Sequence, residues 1–204
     1  RINFTPTPEE VAEAAIPHLQ QGDGSMISFG QGCEGEPALA SRTIVQAIEK
    51  IRASASTGTI NMNSNAGYKV GVAGICQAGL DAIRVSMISA RAETYNAYHR
   101  PSGFGLPDVR QSIKIAVSNG VCTSLNLLVF PGLTDREEEA AALLDLVCGS
   151  GISLVQLRNL NIDPDFLLKH LPAGSGKILG IPELIDMLRE VPGLTVGSFS
   201  RPVR

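Results

Sequence analysis

Residues 60–65 read Ile60-Asn61-Met62-Asn63-Ser64-Asn65, with an asparagine at every second position. Side chains of a β-strand point alternately to the two faces of its sheet, so the three asparagines share one face. Asparagine is depleted in strands, and three amides in a row seldom pack in a core. An edge strand whose polar face meets water is the alternative. The pattern predicts a strand with one apolar face and one face that needs polar partners.

The same alternation occurs in four more stretches, which are residues 27–30, 83–87, 124–129 and 155–158. Amphipathic helical stretches separate four of the five, which indicates βα units and a parallel sheet. The polar set is Asn61, Asn63, Asn65, Arg84, Ser86, Asn126, Gln156 and Arg158. Leaving one such group buried and unpaired costs about 1 to 3 kcal/mol. The sequence therefore predicts an α/β fold, a curled or barrel-like sheet of parallel strands with a wet interior that holds a ligand.

The hydrophobic periodicity predicts the order of the elements and one domain over residues 1–204, with a core at 25–164 and a C-terminal extension at 165–204. Predicted helices cover 8–20, 38–53, 68–78, 106–119, 136–148 and 182–190. Predicted strands cover 25–30, 59–65, 81–88, 121–130 and 153–159, and 194–199 is a candidate for a terminal strand. Thr7 is the expected cap of the first helix, and Thr134 or Asp135 that of the helix at 136–148.

Composition excludes several classes of partner. A net charge of -3 with 18% charged residues gives no basic stripe for a phosphate backbone, so no nucleic acid is expected. No apolar run approaches the roughly 18 residues that span a bilayer, and no signal-peptide core opens the chain. We therefore expect no membrane partner and a cytoplasmic location.

The four cysteines contain no C-x-x-C pair, and we expect no metal ligand among them. Cys76, Cys122 and Cys148 lie in apolar helix or strand patterns, which predicts reduced, buried thiols. Cys33 differs because it lies in the glycine-rich loop after the first strand. A lone thiol is weak evidence of reactivity.

Sites in parallel βα folds lie at the carboxyl ends of the strands. The loop at 30–37 offers glycine backbone that a ligand can approach closely, with Glu34 and Glu36 beside it, or it is a tight turn with two solvated acids. Arg84 and Arg158 stand on different strands. They could clamp a carboxylate, or could ion-pair with Glu34, Glu36 or Asp163.

Other motifs are less informative. His99-Arg100-Pro101 follows a short aromatic helix at 95–98 and is interpreted as a capped surface loop unless a substrate reaches it. The chain has no G-x-G-x-x-G after a strand, no Walker loop and no H-x-x-x-H pair. The common nucleotide and metal motifs are therefore absent from this sequence.

In their order, the strand ends resemble those of the radical S-adenosylmethionine (radical SAM) enzymes. Residues 27–29 leading into Gly35-Glu36-Pro37 are similar to the glycine-glutamate-proline motif after the second barrel strand, with Glu34 in place of the commoner first glycine. Similar to the ends of the third to sixth strands are Ser64-Asn65-Ala66, Val85-Ser86-Met87, residues 129–135 and Leu157-Arg158-Asn159. Residues 95–104, with Arg100 and Gly103, are similar to the arginine-glycine-aromatic stretch after the fourth strand. The resemblance covers residues 25–164.

This resemblance implies a partial (β/α)6 TIM-like barrel without its first strand and cluster loop. It also implies an enzyme that cleaves S-adenosylmethionine reductively with an electron from a [4Fe-4S] cluster. The cofactor candidates are Gly35, Glu36, Pro37, Asn65, Ser86, Asn126 and Arg158. Asn61, Asn63, Arg84 and Arg100 are candidates for substrate or structural roles. The substrate, a small molecule or a peptide, and the catalytic residues stay unidentified. A reductant protein such as flavodoxin or ferredoxin is the implied partner.

One family motif is missing, since the C-x-x-x-C-x-x-C loop that holds the cluster does not occur in this sequence. The chain begins at Arg1 rather than Met, so we expect the true N-terminus and that triplet to lie upstream, and this chain to be inactive alone. A rival hypothesis is a non-catalytic module that binds a small polar metabolite. A cluster-independent barrel hydrolase or aldolase ranks last, because no Lys falls at a predicted strand end.

Overall fold

A computed structural model describes residues 4–22, 24–30, 35–199 and 202–203. It contains one six-stranded sheet in which every neighbouring pair is parallel and the strands follow each other in chain order. The strands are β1 (Met26–Phe29), β2 (Thr59–Ser64), β3 (Ala82–Met87), β4 (Cys122–Val129), β5 (Leu154–Asn159) and β6 (Thr195–Gly197). This arrangement confirms the predicted α/β fold with parallel strands.

Helices connect the strands, as parallel neighbours require. They are α1 (Pro8–Leu19), α2 (Ser41–Ser54), α3 (Lys69–Gln77), α4 (Ala92–His99), α5 (Leu106–Ser118), α6 (Glu137–Cys148), α7 (Pro164–Leu168) and α8 (Ile181–Arg189). A 3-10 turn at Pro37–Ala40 leads into α2. No helix in the described ranges is both long and apolar enough to cross a membrane.

The core lies between the sheet and the helices, on the face that the alternation predicts. Ile60, Met62 and Val85 are fully buried there, and they belong to the same cluster as helix residues such as Ile48 and Ile113. Each of these strand residues alternates with a polar neighbour of the opposite face. The register of the polar face is therefore as predicted, with no slip of one residue.

The terminal strand candidate is also confirmed. β6 pairs with β5 in the register Val155↔Val196, so the C-terminal extension supplies a strand to the sheet. In contrast, α7 was not predicted. Asp163 caps it by accepting a hydrogen bond from Phe166 N at 2.7 Å, and Pro164 begins it, which is a common helix-start pattern.

The predicted helix cap is confirmed at α1 and wrong at α6. At α1, Thr7 Oγ1 accepts from Glu10 N at 3.2 Å and Thr7 N donates to Glu10 Oε2 at 2.8 Å, which makes the predicted cap a full capping box. At α6 the prediction of Thr134 or Asp135 is wrong. Arg136 holds the cap position without a side-chain bond. Thr134 and Asp135 instead accept from Phe130 N and Gly132 N, closing the turn before the helix.

The cysteine prediction is right at Cys76 and wrong at Cys148. Cys76 is buried in α3, and burial raises the pKa of its thiol to about 11. Cys148 ends α6 just beyond the buried stripe that includes Leu143 and Val147, so it is exposed. Cys122 begins β4 and is half-buried. Cys33 lies outside the described residues.

Candidate functional site

The side of the sheet turned away from the helix-covered core is called the polar face here. It carries Ser28, Asn61, Asn63, Arg84, Ser86, Asn126, Gln156 and Arg158. They lie on one face because paired residues of neighbouring strands point to the same side of the sheet. Each of these residues pairs with another of them or with a residue that alternates in step with them. The polar face therefore brings together the predicted polar strand residues except Asn65, which lies just beyond the end of β2.

The first group of polar side chains joins β1 to β2. Asn61 Nδ2 donates to Ser28 Oγ at 2.8 Å and to Asn63 Oδ1 at 3.2 Å. Asn63 Nδ2 donates to the carbonyl of Gly30 at 3.1 Å. The amides that looked anomalous in the sequence thus satisfy one another and the end of β1, although Asn61 Oδ1 is buried without a partner among the described residues.

A second group joins β3, β4 and β5. Arg158 Nε donates to Asn126 Oδ1 at 3.3 Å, and Arg158 Nη2 donates to Gln156 Oε1 at 3.0 Å. Asn126 Nδ2 in turn donates to Ser86 Oγ at 3.5 Å. Arg158 is the centre of this group, and its guanidinium is held by neutral oxygen atoms rather than by a carboxylate.

Arg84 lies on the same face, but its hydrogen-bond partner is weaker. Its Nη2 is 3.8 Å from Met26 Sδ, which is a weak acceptor. Burial lowers the pKa of the Arg84 guanidinium, and the positive charge of Arg158 lowers it further. Within the described ranges, no ion pair includes either arginine. Glu34, one of their predicted acidic partners, lies outside those ranges.

Glu36 positions the loop after β1 and is not a free acid. Its Oε1 accepts from Ala38 N at 3.0 Å and from Ser64 Oγ at 2.6 Å, and its Oε2 accepts from Asn65 N at 2.7 Å. The carboxylate therefore caps the 3-10 turn that begins at Pro37 and ties it to the end of β2. These bonds also explain why Glu36 does not pair with either arginine.

The glycines at the two ends of this loop differ in their surroundings. Gly30 has φ +78°, and a Cβ there would collide with the Asn63 carbonyl oxygen and the Pro37 ring. Gly35 has φ +91°, and a Cβ there would meet nothing within 4 Å among the described residues. The backbone at Gly35 is therefore open to a ligand, while Gly30 is fixed by close packing.

Two cavities adjoin the carboxyl edge of β1 and β2. One of about 220 Å³ is lined by residues that include Glu36, Asn65 and Phe104. The other, of about 450 Å³, is lined by residues that include Ser28 and Gly35. The larger cavity is within the size range of small-molecule sites, which begins at about 300 Å³, and the smaller one is below it. Asn65 is fixed at the first cavity because its Oδ1 accepts from Gly67 N at 2.8 Å.

Arg100 belongs to neither the polar face nor the loop after β1. It ends α4 in a left-handed conformation with φ 45°, and its side chain is exposed. Its position matches the capped surface loop of the sequence interpretation. The residues that follow it, Ser102, Gly103 and Phe104, line a cavity with Glu36 and Asn65.

Sequence reasoning missed a pair of rings on α4, of which Tyr95 is buried and His99 is half-buried. The Tyr95 and His99 rings stack at 4.4 Å, and Tyr95 Oη and His99 Nε2 are both buried without a partner among the described residues. Burial, and secondarily the charge of Glu36, raises the pKa of Tyr95 to about 12, and burial lowers the pKa of His99 to about 4. The signal in the sequence was the i, i+4 spacing of the two rings, which places them on one side of a helix.

The resemblance implies two cofactors, S-adenosylmethionine and an iron-sulfur cluster, and the polar groups of the candidate site fit one of them. Amides, hydroxyls, guanidinium groups and the open backbone of Gly35 fit the amino acid, ribose and base of S-adenosylmethionine. An iron-sulfur cluster does not fit, because no three His, Cys, Asp or Glu residues of the described ranges come together as a metal site. Cys76, Cys122 and Cys148 lie on three separate elements.

No protein-family profile and no curated protein matches the chain. Solved structures of radical SAM enzymes do match its fold. Methylornithine synthase gives a TM-score of 0.64 at 14% identity, over 96% of this chain and 56% of that chain. A radical SAM methyltransferase from Sphaerobacter thermophilus gives 0.64 at 16% identity, over 98% and 60%. Streptococcus suis SuiB bound to S-adenosylmethionine gives 0.63 at 13% identity, over 98% and 45%.

These comparisons confirm the fold that the resemblance implies. The enzymes they find are radical SAM enzymes, the group that the strand ends resemble. The chain spans about half the length of methylornithine synthase and SuiB. It therefore has the partial-barrel fold of these enzymes.

Proposed function

We propose that this chain is the S-adenosylmethionine-binding part of a radical SAM enzyme. The observation that carries the proposal is the combination of this fold with a row of polar side chains ending at the glycine-glutamate-proline loop. Two solved structures of the same fold, SuiB and anSMEcpe, hold that cofactor. Likeness of fold alone would not suffice, because one fold supports many functions.

The candidates in the loop after β1 and at the end of β2 have roles that their surroundings support. The open backbone at Gly35 would receive the amino group of the cofactor. Glu36 and Pro37 would keep that backbone in place, since Glu36 ties the loop to β2 through three hydrogen bonds. Asn65 would present its amide at the mouth of the site.

Ser86, Asn126 and Arg158 would offer hydroxyl, amide and guanidinium groups to the rest of the cofactor from β3, β4 and β5. Asn61 and Asn63 lie on the same face beside β1, where they would contact a substrate or keep the first group of amides rigid. Preorganised polar groups of this kind orient a cofactor whose chemistry is its own.

The redox part of the proposal concerns the whole protein. A [4Fe-4S] cluster, when bound, supplies the electron that cleaves S-adenosylmethionine, and its ligands would come from protein outside the described residues. We propose a small reductant protein such as flavodoxin or ferredoxin as the electron donor. A peptide substrate is one option, since SuiB has been solved with its precursor peptide.

The first test is cofactor binding by this chain. Calorimetric titration of S-adenosylmethionine should give saturable binding that Gly35→Val weakens about tenfold or more, because a β-branched residue at positive φ displaces the backbone there. Gly120→Val is the matched control, since Gly120 also has positive φ and an open Cβ position. Gly120 lies just before β4, at the amino ends of the strands, whereas Gly35 follows the carboxyl end of β1. Equal binding by the two variants would remove the loop from the site.

The second test is turnover. With a cluster reconstituted anaerobically in the full-length protein, S-adenosylmethionine and a strong reductant should yield 5′-deoxyadenosine and methionine. The 204-residue chain alone is expected to yield neither product. Cofactor binding without turnover in the reconstituted protein would favour the rival metabolite-binding module.

A further inference from the structure

We propose that a cavity beside the start of α6 binds a small apolar carboxylate, such as a short branched aliphatic acid. The cavity has a volume of about 300 Å³ and lies between the turn after β4 and the chain that follows α7. It is called the Arg136 cavity here, after the charged residue that lines it. The cofactor and substrate candidates are not among the described residues that line it, so this site is separate from that of the proposed function.

The guanidinium of Arg136 is held by the two segments that it joins. Arg136 Nε donates to the Gly132 carbonyl at 2.8 Å, and Arg136 Nη1 donates to the Gly176 carbonyl at 3.1 Å. A Cβ at Gly174 would collide with Arg136 Nε, so the glycine backbone packs directly against the guanidinium. The cation is therefore preorganised at the cavity wall before a ligand binds.

These two hydrogen bonds leave part of the guanidinium unsatisfied. Within the described ranges, the N–H groups of Arg136 Nη2 and the second N–H of Nη1 have no hydrogen-bond partner, and Arg136 forms no ion pair. The Nη1 and Nη2 atoms form the fork of a guanidinium that binds both oxygen atoms of a carboxylate. The Arg136 cavity therefore offers a charged donor to a ligand.

The acids beside Arg136 have other surroundings. Asp135 Oδ1 accepts from a backbone N–H of the preceding turn at 2.6 Å, and Glu138 Oε1 accepts from Ser175 N at 2.9 Å. Glu137 is exposed in the first turn of α6. One cation with acids close by matches a single negative charge, which favours a carboxylate over a doubly charged phosphate.

Apolar side chains form most of the remaining wall, namely Leu133, Leu168, Leu171, Pro172 and Ala173. Leu133 is 5% exposed and Leu168 is 56% exposed, so the cavity has a buried apolar floor and an apolar mouth. An apolar ligand body would cover these side chains and exclude water from the charged contact, which strengthens that contact. Small-molecule sites begin at about 300 Å³, whereas a peptide needs an extended groove or a strand edge, so the size favours a free small acid.

The first test titrates isocaproate into the 204-residue chain at constant ionic strength, followed by NMR of the backbone amides. Saturable shifts are expected at Gly132 and Gly174, with a dissociation constant of about 1 mM for so small a ligand. Isocaproamide lacks the charge and acetate lacks the apolar body, so each should bind about tenfold more weakly or worse. An absence of saturable shifts, or equal binding by acetate, would overturn the proposal.

Two variants test the two halves of the site. Leu168→Glu puts a negative charge at the exposed mouth and should weaken isocaproate about tenfold or more by repulsion. Val70→Glu is the matched control, because Val70 is 67% exposed and lies on α3. Equal weakening by both variants would contradict the site.

Arg136→Met removes the cation and should abolish the preference for isocaproate over isocaproamide. Because Arg136 also ties two segments together, this variant can lose stability. The ratio of the two affinities is therefore the readout, since a general loss of folded protein weakens both ligands alike. A preference for the acid that survives Arg136→Met would assign the charge recognition to another group and overturn the proposal.

Two competitors separate other occupants of the cavity. Acetyl-glycyl-leucine carries the same isobutyl group and carboxylate at the end of a peptide, and tighter binding than that of isocaproate would overturn the assignment to a free small acid. S-adenosylmethionine should leave isocaproate bound, and displacement would place the cofactor in this cavity instead. Failure of isocaproate to bind leaves the proposed function standing, because that function depends on Gly35 and the polar face.

Discussion

At the residue scale, His99 illustrates how burial without a partner changes titration. Its Nε2 is buried and has no hydrogen-bond partner among the described residues, and burial lowers its pKa to about 4. An unfolded histidine titrates near its ordinary value of about 6.5. Between those two values the unfolded chain binds more protons than the folded one, so the folded state loses stability as the pH falls.

We therefore expect His99 to remove about 2 kcal/mol from the free energy of unfolding between pH 7 and pH 4.5. Urea unfolding at the two pH values measures it, and the difference between parent and His99→Gln isolates this residue from carboxylates that titrate in the same range. His170→Gln is the control, since His170 is exposed. Parallel pH profiles for parent and His99→Gln would contradict the prediction.

A buried ion pair at the amino edge of the sheet gives a second residue-scale prediction. Asp81 Oδ2 pairs with Arg52 and accepts from Ile60 N at 2.7 Å. Removing the cation leaves a buried carboxylate, so Arg52→Leu should lower the free energy of unfolding by about 3 to 5 kcal/mol. Urea unfolding tests this, with Arg189→Leu at an exposed pair as the control. Similar losses in the two variants would show that burial adds nothing.

Single residues were predictable where the pattern was periodic. The alternation predicts which sheet face carries Asn61, Asn63 and Arg158, and the structure places them on that face. The role of Glu36 was not predictable, because its three bonds depend on where the end of β2 comes to lie beside a loop many residues earlier. The same holds for Arg52 and Asp81, whose pairing requires two separate βα units to dock.

At the element scale, Glu139 joins three segments that the chain separates widely. It belongs to α6, is 4% exposed, and accepts from Ser89 Oγ after β3, from Thr94 Oγ1 in α4 at 2.5 Å and from Arg91 Nη1 at 3.4 Å. A buried carboxylate persists only when it is paired and hydrogen-bonded. Glu139 therefore fixes α4 and α6 against the carboxyl end of β3, close to the candidate site.

Replacing Glu139 by Gln should lower the free energy of unfolding by about 1 to 3 kcal/mol, because Ser89, Thr94 and Arg91 lose a charged acceptor. Glu137→Gln removes an exposed acid from the same first turn and controls for the helix dipole. Urea unfolding of both variants gives the comparison. Equal effects would mean that Glu139 acts through the dipole alone.

Elements were predictable where helix or strand periodicity lasted several residues. The cap of α6 was assigned to the wrong residue because Thr134 and Asp135 have the composition of a cap but close a turn instead. The short α7 was missed because five residues give too little periodicity to separate a helix from a turn. Local chemistry alone could not decide either case, since both depend on how the chain leaves a strand.

At the scale of the whole molecule, parallel pairing was predictable and the pairing of the ends was not. Alternation and the βα order predicted the sheet. The candidate strand at 194–199 contributes only three residues to it, which form β6. β6 is half-buried and has one partner, β5. β4 has eight residues and is paired on both sides. The sheet is therefore expected to be unequally stable across its width.

Hydrogen exchange should reveal this gradient. Opening β6 breaks one ladder and exposes little core, whereas opening β4 breaks two ladders and exposes residues such as Leu125, which is fully buried. Local opening free energies range from near zero up to the global value, so we expect β6 amides to exchange about a hundredfold faster than those of β4. Mass spectrometry of peptides from β2, β4 and β6 measures it, with β2 as an internal reference because it is paired on both sides but shorter than β4. Equal protection of all three would mean that the sheet opens only as one cooperative unit, and that the C-terminal strand is as firmly bound as the centre.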